Sequence, residues 1–256
     1  MTDSDFIKLE KNEGVATITL DRPKHNVLNI EMMNTLNSEL ELLTKDKDLK
    51  CLVIGAAGPS FCAGVEVSDH RPEMVDEMIK TFNRIFELIN AIEVPTIAAV
   101  DGACLGGGME VAIACDMVVA SPKAVFGQPE IKLGFFPPYA AIRLPELVGR
   151  SKAIEICTTG KKYFAKESLQ MGLISQLTGE DTFNDELEKL IKEIRYCSPL
   201  IIRLNKLAVN RHIGLGFKEA LSGVSDLFLN TLMKTDDTLE GIKSFEEKRR
   251  AQWKNS

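Results

Sequence analysis

Histidine is scarce. The chain of 256 residues has three, His25, His70 and His212, and they do not recur at ligand spacing. Six cysteines are present (Cys51, Cys62, Cys104, Cys115, Cys157 and Cys197), but no two form a C-x-x-C pair and most sit in apolar stretches. These two shortages argue against a metal centre and a disulfide scaffold, and lead us to expect reduced, buried thiols in a cytoplasmic protein. Long apolar runs are also missing, none being long enough to cross a bilayer, so no membrane partner is expected. Positive charge is not in excess: 31 Lys and Arg stand against 37 Asp and Glu, for a net charge of −6. That balance argues against a general nucleic-acid binder. The opening residues, "MTDSDFIKLEKNEG", are polar and acidic, unlike a signal peptide. Low-complexity tracts and short-period repeats are absent.

What remains is ordinary apolar content in a chain long enough for one large domain, or one domain with an appendage. "FIKLE" and "VATITL" read as strands around the turn "KNEG", and "DRPKHN" breaks the pattern. Met33, Leu36, Leu40 and Leu43 share one face of a helix predicted over 30–43, and Met74, Met78, Phe82, Ile85 and Ile89 share one face of a helix over 73–91. "CLVIGAAG", "TIAAVDG" and "MVVAS" read as buried strands, with a helix over 109–115 between the last two. This alternation predicts an α/β fold with parallel pairing. After about Ser151 every segment reads as helix, and the final "FEEKRRAQWKNS" as a solvated helix end. The boundary is placed near 195, giving an α/β core over 1–195 and a helical region over 196–256.

Two loops concentrate the chemistry. "SFCAGVEV" follows the strand at 51–55, and "CLGGGMEV" follows the strand at 96–100. Glycine lets a backbone approach a ligand closely and adopt positive φ. The first N–H groups of a helix are unpaired, and two that converge can hold an oxyanion. One glycine cluster alone reads as a tight turn. Two on successive parallel strands point to a site, because ligands sit at the carboxyl ends of such strands. Two acids lie in apolar surroundings nearby: Glu110 in the first turn after the glycines, and Glu130 in "FGQPEIKLG". A single Glu near a helix start reads as a cap, whereas a pair fits acid–base work. Residue pattern alone therefore predicts an α/β protein with an oxyanion hole and two carboxylates.

At these residues the chain resembles the crotonase family, also called the enoyl-CoA hydratase/isomerase family, over nearly its whole length. "ITLDRPKHNVLN", "FCAGVEV", "LGGGMEVAIACDMVVAS", "FGQPEIKLG" and "EGIKSFEEKR" carry the likeness. The resemblance implies a spiral of ββα units with a C-terminal helical oligomerisation region, assembled as a homo-trimer or homo-hexamer. It implies an acyl-CoA substrate and no separate cofactor, coenzyme A being part of the substrate. Carried over, the oxyanion donors are the N–H groups of Val65 and Gly107, with Ala63, Glu66, Val67 and Ser68 lining the path of the coenzyme. Glu110 and Glu130 match both catalytic glutamates of the family's hydratases. Retention of both favours water addition, with Glu110 as base towards water and Glu130 as acid.

One departure stands out. Where the family's hydratases carry a glycine-rich run, this chain has "GFFPPYAA". Pro138 has no N–H to offer a water molecule. Phe135 is expected in the core, and Phe136 and Tyr139 are taken as substrate contacts. His70 and Arg71 are read as caps or surface groups. Within the family the chain resembles the cyclohexa-1,5-diene-1-carbonyl-CoA hydratases, which implies 1,4-addition of water to a ring diene. The alternatives are a straight-chain enoyl-CoA hydratase or isomerase, and more remotely an RNA-binding member, which the mixed and acidic segment over 24–48 disfavours.

Overall fold

Ile7–Asn12 (β1) and Val15–Leu20 (β2) pair antiparallel about a two-residue turn, Glu13 and Gly14, in which both residues have positive φ. That is the backbone a tight hairpin requires. Ile30–Thr44 (α1) follows, its first turn closed by the Asn29 side chain accepting from the Met32 N–H. The computed structural model describes residues 6–256, so the first five residues of the acidic N-terminal reading lie outside the described residues.

The same two-strand, one-helix unit then recurs three times. Cys51–Ala56 (β3) and Ser60–Cys62 (β4) precede Val75–Ala91 (α2). Thr96–Val100 (β5) and Ala103–Leu105 (β6) precede Gly107–Ala114 (α3). Met117–Ala120 (β7) and Val125–Gly127 (β8) precede Pro138–Val148 (α4). In these three units the first strand joins a large sheet and the second a small one, whereas β1 and β2 both lie in the large sheet. Arg150–Thr159 (α5), Lys162–Phe164 (β9), Ala165–Gln170 (α6), Gln176–Leu177 (β10) and Phe183–Arg195 (α7) complete the core. The large sheet runs β1-β2-β3-β5-β7-β10, parallel from β2 onward, and the small one β4-β6-β8-β9. The apolar faces expected of α1 and α2 are buried in the core, where the two helices pack on each other, Leu36, Leu40, Phe82 and Ile85 among them.

Two expectations are corrected. The chain after Ser151 is not helical throughout, because β9 and β10 close one edge of each sheet. The glycine loops do not leave the large sheet directly either. A three-residue strand of the small sheet, β4 or β6, stands between each loop and its long strand. Strands this short carry too few residues to show a period.

Pro199–Arg211 (α8), Phe217–Asn230 (α9) and Asp236–Glu246 (α10) form the C-terminal helical region, with Ser198 capping α8. The last residues are not a solvated helix end. The carboxylate of Asp237, 1% exposed, accepts the Ser198 hydroxyl and the backbone N–H groups of Lys254 and Asn255, and the Trp253 indole donates to the Tyr196 carbonyl. Among the described residues no helix is long and apolar enough to cross a membrane, and no group of three or more His, Cys, Asp or Glu is placed to hold a metal.

Candidate active site

Parallel pairing of β4 with β6, with Ser60 opposite Ala103 and Cys62 opposite Cys104, sets the two glycine loops side by side. The first loop is pinned to the segment ahead of α1. Leu28 N–H donates to Gly64 O at 2.9 Å, and Glu66 N–H donates to Leu28 O at 2.8 Å. These bonds skip the Val65 N–H. In the second loop Gly106 N–H donates to Gly127 O and Glu110 N–H to Gly106 O. Gly107, as first residue of α3, has no carbonyl of its own helix to reach. Val65 and Gly107 line one cleft, of about 350 Å³.

The three glycines act differently. Gly106 has φ 55° and ψ −133°, and a Cβ there would stand 2.4 Å from the Glu130 carboxylate. At Gly107 a Cβ would meet Val65 at 2.6 Å and the Phe82 ring at 3.0 Å. At Gly108 it would lie 2.3 Å from the Cys62 carbonyl, so this glycine lets α3 press onto β4.

Both acids face this cleft. Glu110 is 2% exposed, and its Oε1 accepts from the Ala140 N–H at 2.8 Å. Ala140 is third in α4, where N–H groups lack helical partners and the helix dipole favours negative charge. Burial, reinforced by the charge of Glu130, nevertheless raises the Glu110 carboxyl to about 7, against the lowering effect of the Ala140 and Tyr139 N–H groups. Burial also raises Glu130 to about 7. Glu130 sits in a 3-10 turn over Pro129–Leu133, facing the fully buried Gln128 amide. With its NH2 group turned to the acid, Gln128 donates to the two carboxylate oxygens at 3.2 and 3.0 Å. Two carboxyls poised near neutrality beside two unspent N–H groups can exchange protons with a substrate whose carbonyl oxygen gains charge.

Of the residues named from sequence, Ala63, Val65, Val67, Gly107, Glu110, Glu130 and Phe136 line the cleft. Glu66 and Ser68 do not: the Glu66 carboxylate reaches Arg22 at 3.5 Å, and the Ser68 hydroxyl turns to Asp69 at 3.5 Å. Tyr139 is also displaced from the expected contact. Its ring stacks on Phe86, centroids 4.0 Å apart, and lines a separate recess. Phe135, expected in the core, instead lines the cleft, where it stacks on His70 at 4.8 Å. His70 is correspondingly more than a surface group, its Nδ1 lying 3.0 Å from the Glu66 carbonyl.

A family model described as enoyl-CoA hydratase/isomerase matches residues 10–256. The chain belongs to the enoyl-CoA hydratase/isomerase family. It is 34% identical over 250 residues to the putative enoyl-CoA hydratase/isomerase YngF of Bacillus subtilis, covering 95% of this chain and 96% of that one. It is also 34% identical over 247 residues to the cyclohexa-1,5-dienecarbonyl-CoA hydratase of Thauera aromatica, covering 96% and 95%. A crystal structure of an enoyl-CoA hydratase from Mycobacterium smegmatis superposes with a TM-score of 0.89 at 28% identity, over 97% of this chain and 98% of that one. The mixed α/β architecture is thus that of the family.

Three residues of this enoyl-CoA hydratase/isomerase family site escape sequence reasoning. Gln128 and Ala140 hold the two acids, and Phe82 closes over Gly107. Gln128 had a signal, since a polar residue between the apolar strand "AVF" and Pro129 invites a search for its partner. Ala140 acts through its backbone and leaves none.

Proposed function

We propose that the protein adds water across a carbon–carbon double bond conjugated to a coenzyme A thioester, and that its preferred substrate is cyclohexa-1,5-diene-1-carbonyl-CoA. The carrying observation is the presence of two carboxyls, each raised to about 7, in the cleft that also holds the Val65 and Gly107 N–H groups. The thioester oxygen accepts from those two N–H groups. Glu110 takes a proton from water as the water oxygen bonds to the β-carbon, and the π electrons move onto the thioester oxygen. Each oxyanion donor is worth about 2.7–4 kcal/mol in reactions of this type. Glu130 then delivers a proton. On a straight chain it goes to the α-carbon. On the ring diene it goes to the far end of the dienolate, giving 6-hydroxycyclohex-1-ene-1-carbonyl-CoA.

The ring preference is supported by the cleft wall. Phe135, Phe136, Pro137 and Pro138 line it where a glycine-rich run would leave it open. A flat ring loses less rotational freedom against such a wall than a flexible chain does. The Thauera aromatica relative's name agrees with this preference. Turnover of a panel of acyl-CoAs, with products read by mass spectrometry and NMR, tests the reading. The expected kcat/KM for the cyclic dienoyl-CoA is at least ~10-fold above that for crotonyl-CoA, a difference of about 1.4 kcal/mol in transition-state binding. Phe136→Ala narrows the gap. Equal efficiency on both substrates would establish a straight-chain hydratase instead. The proposal includes assembly as a homo-trimer or homo-hexamer through the C-terminal helices.

A further inference from the structure

We infer that Tyr139 is a positioning residue, whose ring, stacked in a column with Phe86 and Phe82, sets the start of α4 so that the Ala140 N–H meets the Glu110 carboxylate. The inference rests on the reading above, in which Glu110 reacts with water.

The column joins two helices, α2 and α4, and ends against the first residue of a third, α3. Tyr139, second in α4, lies flat on Phe86 of α2, with centroids 4.0 Å apart and planes at 15°. Phe86 meets Phe82, one turn earlier, edge to face at 4.7 Å and 74°. Phe82 lines the cleft and stands where a Cβ on Gly107 would be, at 3.0 Å. One end of the column therefore backs an oxyanion donor. The other end carries the backbone that holds the base, since Ala140 directly follows Tyr139.

Position 139 lies in the opening turn of α4, directly after Pro137 and Pro138. Glycines there would leave the first turn of α4 free to adopt several backbone conformations. In this chain Pro137 and Pro138 restrict φ, and the Tyr139 ring anchors the turn laterally. The Ala140 N–H has no helical acceptor, so its direction depends on how that turn is held. The Tyr139 ring takes no part in the cleft. It lines a separate recess with Asn90, Arg143 and Glu146. Stacking needs the ring and not the hydroxyl.

Steady-state kinetics over about pH 5.5–9, on an enoyl-CoA the wild type turns over, compare Tyr139→Phe, Tyr139→Ala and Glu110→Gln. Tyr139→Phe keeps the column and is expected within about threefold of wild type. Tyr139→Ala is expected to lower kcat roughly 10- to 100-fold, the scale of a misplacement of about 1 Å, with KM within about threefold. Its rising pH limb should move to higher pH, because the N–H groups of Ala140 and Tyr139 favour the Glu110 carboxylate and that support weakens. Of the titratable groups around Glu110, Glu130 and Cys157 are unchanged by the substitution, and the Tyr139 phenol is lost equally in Tyr139→Phe, which therefore serves as the control for its removal. A folded Tyr139→Ala protein with wild-type kcat and an unmoved limb overturns the inference, even if its Tm falls, because the ring would then only fill space. If Tyr139→Ala does not fold, Phe86→Leu, which removes the stacking face and leaves an apolar side chain, is judged by the same two readouts. A fully active Glu110→Gln protein is a different failure: it removes the reading on which the column's role depends.

Discussion

A carboxyl buried as deeply as Glu110 burdens the fold, and under the proposed function it also serves the chemistry. Its pKa rises from 4.5 to about 7 on folding, so the folded state binds the proton more tightly than the unfolded chain. Stability is therefore highest when the group is protonated in both states, and falls as pH rises from about 4.5 to about 7. A shift of this size corresponds to about 3 kcal/mol. Glu110→Gln does not titrate. It should match wild type in chemical denaturation near pH 4.5 and exceed it at pH 8 by up to that amount. The same substitution should lower kcat by roughly 10²–10⁴-fold, as should Glu130→Gln, the usual scale for a lost general acid or base. Rapid-quench or steady-state assays check this, and a Glu130→Gln protein that hydrates normally would remove the two-carboxylate mechanism.

Among the elements, legibility followed length. Helices α1 and α2 span enough turns for their apolar stripes to repeat, so both were readable to within two residues, and the long strands β3 and β5 were readable as buried apolar runs. The strands β4, β6, β8 and β9 have three residues each and show no period, which hid the small sheet and with it the reason the glycine loops meet. The glycine triplet announced a site, but its division of labour needed coordinates. So did the direction of side chains: Phe135 and Tyr139, both aromatic and four residues apart, face different cavities. Gly108 offers a test of element packing. In most helices Gly→Ala stabilises by about 1 kcal/mol. Here the new methyl would meet the Cys62 backbone carbonyl at 2.3 Å, and α3 would have to lift from β4. Gly108→Ala should therefore destabilise by about 1–3 kcal/mol, the range for overpacking, as a lowered midpoint in thermal or urea unfolding.

For the whole molecule, the C-terminal helices leave apolar side chains without cover. Phe217 is 82% and Phe245 85% exposed, and Phe228 and Ile242 are about half exposed. Leu227, next to Phe228 in α9, is instead buried within the chain. Uncovered apolar faces of this kind mark association surfaces. The proposed trimer or hexamer should persist at micromolar concentration in light scattering, and Phe228→Asp combined with Phe245→Asp should shift it towards smaller species; a stable wild-type monomer would contradict the assembly. The order in which the two sheets are completed also matters for how the chain is made. Every residue lining the cleft lies between 63 and 138, yet the strands that close the sheets, β9 and β10, come later, at 162–164 and 176–177. During synthesis from the N-terminus, the cleft is therefore specified while β7 and β8 still present open edges able to pair with another chain. A nascent chain emerged to between residues 140 and 160 would hold a nearly finished cleft on its most aggregation-prone scaffold, and it is the stretch from 162 to 177 that converts it into a sealed one.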